Sequence, residues 1–279
     1  MVRVEVKAEL LRWARDRAGL TLDDLSSKFP KLEQWESGEL KPTLKQIENY
    51  AKATYAPVGY FFLIDPPEEP LPVPDFRTMA GRDVRPASPN LRDMIYACQE
   101  RQDWFRDNAR IAGAHRLAFV GSANLVSPIV ETAAAIRRAL SFDLARRRTC
   151  ATWTDALRLF IGEADRLGVL VMCSGIVMNN THRRLDPEEF RGFALSDDLA
   201  PLVFINGADT KSAQMFTLAH ELAHIWLGQT ALSNTTATSQ HQNAVETWCN
   251  RVAAELLRRW KSCETSCAQT NRCRRQWRV

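Results

Sequence analysis

At 279 residues the chain is long enough for one large domain or two smaller ones. Hydrophobic residues make up 45 % and charged residues 25 %, an ordinary globular balance, and no apolar run approaches the roughly 18 residues a membrane span needs. The net charge of +4 is concentrated in residues 258–279, which carry +6 and leave −2 for the rest, so the body has no basic surplus pointing to nucleic acid. The seven Cys are scattered without C-x-x-C spacing, and the segment Met1 to Lys7 has neither a long apolar core nor a cleavage site. A reduced, cytoplasmic setting without a secretory signal is expected.

Residues 8–64 read as a small helical unit. Leu10, Leu11, Ala14 and Ala18 recur at helical spacing and Gly19 closes the first helix. Thr21 with Asp24 forms a capping-box pattern, Lys31 to Glu36 follows, and Pro42-Thr43 opens a helix to about Thr54. Five prolines between Asp65 and Asp75 (Pro66, Pro67, Pro70, Pro72 and Pro74) predict a stiff, extended linker. Ser88-Pro89 starts a long helix, with helices also predicted over 128–141 and 153–167 and Gly168 as a stop. Three short apolar runs, Val169–Met172, Gly192–Leu195 and Leu202–Ile205, read as strands. After the Asn206-Gly207 turn, Asp209 or Thr210 caps a helix running to Leu227 and stopped by Gly228, and another helix spans about Asn243 to Trp260.

His220-Glu221-Leu222-Ala223-His224 is the pattern that carries chemistry. Two His four apart on a helix share one face and can grip one ion, and the intervening Glu can reach a water on that ion; this is the H-E-x-x-H pattern of zinc peptidases. A catalytic zinc takes three protein ligands, so a third must come from elsewhere. Glu246, with Asn250 in an E-x-x-x-N stretch on the next helix, resembles the arrangement of the glutamate-ligand zincins. By that analogy Glu246 is the third ligand, and Asn250 braces a ligating histidine. Glu255 and His241 compete for the ligand role. Zinc lowers the pKa of its bound water from 15.7 to about 7, and Glu221 would take that water's proton as general base. The strand 202–206 is expected to hold an extended peptide at the sheet edge. His182 and His241 are candidates for a further oxyanion donor.

The blocks Phe216 to His224 and Glu246…Cys249-Asn250 to Leu257 resemble the ImmA/IrrE metallopeptidases. Asp75-Phe76-Arg77-Thr78 and Ser88-Pro89-Asn90-Leu91 are similar to the connecting part of two-domain members, so the resemblance covers about residues 7–257. It implies a zinc-dependent, site-specific protease that cuts a repressor or antitoxin partner and so controls transcription in a phage, mobile-element or stress circuit. It also implies an XRE-type helix-turn-helix, which Leu20–Leu25 and Trp35–Pro42 match at its two ends. The stretch between those ends is about four residues short, in the turn and the start of the recognition helix. Residues 1–65 hold ten basic and ten acidic groups. Lys31, Gln34 and Lys41 could touch DNA, while Glu33 and Glu36 would oppose its phosphates.

The expected architecture is α+β and mainly helical: a helix-turn-helix-like domain (1–64), a Pro-rich linker (65–87), a helical connecting region (88–168) and a zincin-like domain with a small sheet (169–257). Residues 258–279 form a basic tail with three Cys, expected to be disordered or non-native. The expected cofactor is Zn2+ and the expected partner a protein substrate, with no membrane. The alternative function is a transcriptional regulator or toxin–antitoxin component whose zinc domain binds or senses without cutting.

Overall fold

The computed structural model describes residues 2–74, 87–141, 150–233 and 244–267. The chain divides into two compact units, residues 1–72 with 85–93 and residues 73–84 with 94–279. The predicted ligand candidate His241, the Asp75-Phe76-Arg77-Thr78 segment and residues 268–279 lie outside the described residues.

The first unit is helical: α1 (Ala8–Arg17), α2 (Leu22–Ser26), α3 (Leu32–Glu36), α4 (Leu44–Thr54) and a 3-10 turn at Val58–Phe62. Both expected starts are capped. Thr21 and Asp24 close a reciprocal capping box on α2, and Thr43 with Gln46 does the same on α4. Leu10, Leu11, Leu32, Trp35, Ile47, Tyr50 and Phe61 form its core, and the buried Tyr50 hydroxyl donates to the Leu11 carbonyl at 2.9 Å. Arg15 clasps Glu36 through two bonds of 2.9 and 3.1 Å, so this acid is locked in an internal ion pair.

The helix α5 (Pro89–Ile111) starts where Ser88-Pro89 predicts, the Ser88 hydroxyl accepting from the Leu91 N–H at 3.2 Å. In the second unit follow α6 (Ile129–Ala139), α7 (Trp153–Leu167), β1 (Leu170–Ser174), β2 (Ile176–Val177), β3 (Asn180–Arg184), β4 (Gly192–Leu195), β5 (Leu202–Asn206), α8 (Lys211–Leu227), β6 (Ala231–Ser233) and α9 (Ala244–Cys267). The expected strands are present, joined by the short β2–β3 hairpin and by β6, which composition alone does not mark. The helix α9 continues past Trp260 to Cys267. Among the described residues no helix is long and apolar enough to cross a membrane, and Cys98, Cys150, Cys173 and Cys249 are free thiols.

The main sheet has the order β1-β5-β4-β6, with β1 parallel to β5 and the other pairs antiparallel. This corrects one expectation. The 202–206 strand is β5, flanked by β1 and β4, so it has no free edge on which to add a peptide. The edge that borders the candidate site is β6, and its Leu232 N–H donates to the Pro74 carbonyl at 3.0 Å. Alternation along the strands sends Ala194, Val203 and Ile205 into the core shared with α8, while Phe193 and Phe204 stack at 5.0 Å beside Phe190. α6 and α7 contribute Ala133, Ile136, Leu157 and Phe160 to that same core.

One polar tie steadies the turn between β4 and β5. Asp197 accepts from the N–H groups of Leu199 and Ala200 at 2.8 and 2.9 Å and pairs with Arg106 at 3.3 Å. Burial pushes its carboxyl up, but these donors outweigh burial and hold the pKa below the usual value. A folded pKa below the unfolded value of about 3.9 gives stability that is present above that value and lost as pH falls through the folded one. Asp197→Asn is expected to lower the urea midpoint at neutral pH, with the gap to wild type shrinking at about pH 3.

Candidate metal centre

The helix α8 is held at both ends. Thr210 caps its start, accepting from the Ala213 N–H at 3.3 Å, and the Gln214 amide donates to the carbonyls of Gly207 and Asp209 at 3.0 and 2.6 Å. At the other end Gly228 adopts φ 68°, the left-handed conformation that stops the helix. There Gly121 and Ala123 donate their N–H groups to the carbonyls of Ile225 and Trp226 at 3.1 and 2.9 Å, satisfying acceptors that a helix end leaves open. From Met215 to Trp226 nearly every side chain is buried, so α8 is a central helix rather than an amphipathic surface one.

Such a helix would normally be apolar throughout, yet His220, Glu221 and His224 are each 0 % exposed. α9 runs along α8 with Val245, Trp248, Cys249, Val252, Ala253 and Leu256 in the common core, and this packing brings Glu246 inward to 7 % exposure. One ligand atom from each of His220, His224 and Glu246 lies within 4.8 Å of the others. The two Nε2 atoms are 3.1 Å apart, and they stand 3.2 and 3.1 Å from the two Glu246 oxygens.

These contacts fit a cation better than a hydrogen-bond cluster. Two facing imidazole nitrogens 3.1 Å apart can share only one proton between them. A tetrahedral ion with ligand bonds near 2.0–2.1 Å spaces its ligand atoms by about 3.3 Å, close to what is observed. The electrostatics agree. Burial favours an uncharged Glu246, yet the two imidazoles hold its pKa down to about 2, so it is a carboxylate. Burial lowers the pKa of His224, which favours the neutral ring that a metal ligand needs. Glu221 is pushed well above its usual value, first by burial and then by the nearby Glu246 charge, a penalty that a dication here would oppose.

Of the remaining candidates, Asn250 lies one turn beyond Glu246 on α9 and is half-buried. Glu255 pairs with Arg258 at 3.5 Å and is not part of the ligand group. His182 is exposed on β3. Lys31, Gln34 and Lys41 are exposed on the first unit, with Lys41 3.3 Å from Glu5. Two residues have no motif to announce them. A Cβ on Gly192 would fall 2.5 Å from Thr217 Cγ2, 2.7 Å from the Phe204 carbonyl and 3.2 Å from Glu221 Oε1. Ser233, fully buried on β6, places its Oγ 3.4 Å from His224 Nε2.

Residues 164–257 match the Peptidase_M78 family, described as the IrrE N-terminal-like domain. The match supports the ImmA/IrrE resemblance and points to a metallopeptidase; it spans all three ligand residues and starts well after the N-terminal unit. No similar sequence was found among curated proteins, and no solved structure is similar.

Calorimetric titration with divalent cations is expected to show one site, lost in His224→Ala and in Glu246→Ala. Because the ion binds only the folded arrangement, saturation at 100 times Kd should add about 2.7 kcal/mol, read as a higher melting temperature that chelation reverses. Gly192→Ala forces a methyl group against backbone and Glu221 and should cost about 1–3 kcal/mol in urea unfolding.

Proposed function

We propose that the chain is a zinc-dependent endopeptidase that cuts a repressor or antitoxin partner and thereby controls transcription. The observation that carries this reading is the buried Glu221 carboxylate beside three converging ligand atoms. Two imidazoles and one carboxylate form a donor set that suits zinc better than magnesium or calcium, which prefer oxygen alone.

A bound zinc would supply a water acidic near neutral pH and a Lewis acid for the peptide carbonyl. The protein's own groups do the rest. His220, His224 and Glu246 would hold the ion, each set on a packed helix. Glu221 follows His220 directly, so its carboxylate can accept the water's proton and deliver it to the leaving amine nitrogen. Asn250 is proposed to steady a ligating histidine from the next turn of α9.

The family match supports proteolysis, and the separate small helical unit supports a regulatory rather than a digestive role. We read that unit as XRE-like, on the order of α1–α4 and the capped starts of α2 and α4, with Lys31, Gln34 and Lys41 as its candidate DNA contacts. The Arg15–Glu36 clasp removes one of the two acids that would face phosphate as a free charge.

Co-expression with a small repressor encoded beside this gene tests the proposal. Wild type should yield one specific partner fragment. Glu221→Gln should retain the ion and slow cleavage about 10²- to 10⁴-fold. Cleavage by Glu221→Gln at the wild-type rate would exclude this mechanism.

A further inference from the structure

β6 is only three residues long, yet it sets a hydroxyl beside the ion-binding atoms. Ser233 pairs with Gly192 across the β4–β6 ladder, and directly opposed residues in an antiparallel pair project to the same face. At Gly192 that face looks onto Thr217 and Glu221 of α8, where an added Cβ would sit 3.2 Å from Glu221 Oε1. The missing side chain at Gly192 leaves the space, and Ser233 is its neighbour across the ladder. Ser233 is fully buried, and its Oγ is 3.4 Å from His224 Nε2.

We propose that Ser233 is a positioning residue of this centre, its hydroxyl holding the Glu221 carboxylate against the cation position defined by His220, His224 and Glu246. The argument is one of hydrogen-bond supply. When His224 ligates a cation, Nε2 gives its lone pair to the ion and carries no hydrogen, so it can neither accept from Ser233 nor donate to it. Set across the ladder from Gly192, where an added Cβ would sit 3.2 Å from Glu221 Oε1, the Ser233 hydroxyl then has Glu221 as its acceptor. Glu221 needs such a donor: both its oxygens are buried, with no hydrogen bond of good geometry from the described residues. A buried carboxylate left without a donor would swing away from the cation position, which removes it from a base's work.

This inference rests on the metal-centre reading, and the test separates the two. Protein loaded with Co2+ is titrated and its visible absorption recorded for wild type, Ser233→Ala, Glu221→Ala and the double variant. Wild type should take up one Co2+. Ser233→Ala should also take up one, with an altered visible band and about tenfold weaker affinity, the scale expected for groups that orient ligands and their neighbours. In the Glu221→Ala background the Ser233→Ala change should vanish, because its effect passes through Glu221. A Ser233→Ala protein with wild-type spectrum and affinity overturns the inference while leaving the metal centre intact, as does an effect that persists in full without Glu221. A wild type that takes up no Co2+ overturns the metal-centre reading, and this one with it. Should Ser233→Ala fail to fold, Ser233→Gly replaces it, removing the hydroxyl without adding a metal-binding atom, with the same expected change.

Discussion

The second unit depends on burying four polar side chains in the middle of its core. His220, Glu221, His224 and Glu246 lie where an ordinary helical domain would have only apolar groups, among Leu218, Leu222, Ile225, Val245 and Cys249. Buried polar groups are costly unless partnered, and buried carboxylates more so. Here the partnering is mutual: Glu246 stands between two imidazoles, and a cation would satisfy all three ligand atoms at once. A cation bound there would couple folding to ion binding, since the same contacts that would hold the ion also settle the cost of burying its ligands.

The surrounding elements follow from that constraint. α8 can be buried on all sides only because β4 and β5 cover one face and α7 and α9 cover others. Gly192 lets β4 approach the helix at the level of Glu221, where any side chain would collide. The loop through Gly121 and Ala123 closes the C-terminal end of α8, and the Phe119–Trp226 stack at 4.6 Å fixes that loop. α9 is carried into place by Trp248, whose indole donates to the Ser127 carbonyl at 3.2 Å. Among the described residues, this packing suits the proposed base and ligands, which must keep their geometry to act together.

The first unit obeys ordinary helical logic. Its core is aromatic and aliphatic, the starts of α2 and α4 are capped, and its internal ion pair joins α1 to α3. Among its described residues, nothing carries buried polar chemistry comparable to the second unit. Its proposed contribution to function is at its surface, where Lys31 and Gln34 are exposed.

What the sequence determined by itself was local. Helical periodicity and the Thr, Ser, Pro and Gly boundary residues located α1, α4, α5, α7 and α8, because capping and φ preferences act within a few residues. The pair His220 and His224 was legible because a four-residue spacing on a helix forces one face. Glu246 was legible only by analogy, since nothing local says which side of α9 meets α8. Tertiary structure decided that choice over Glu255, through the side of α9 that its apolar residues bury. It also made β5 an interior strand, and it placed Gly192 and Ser233 at the centre. Strand order and cross-strand register join residues about 40 positions apart, and a sequence pattern read along the chain carries no signal for a partner at that distance.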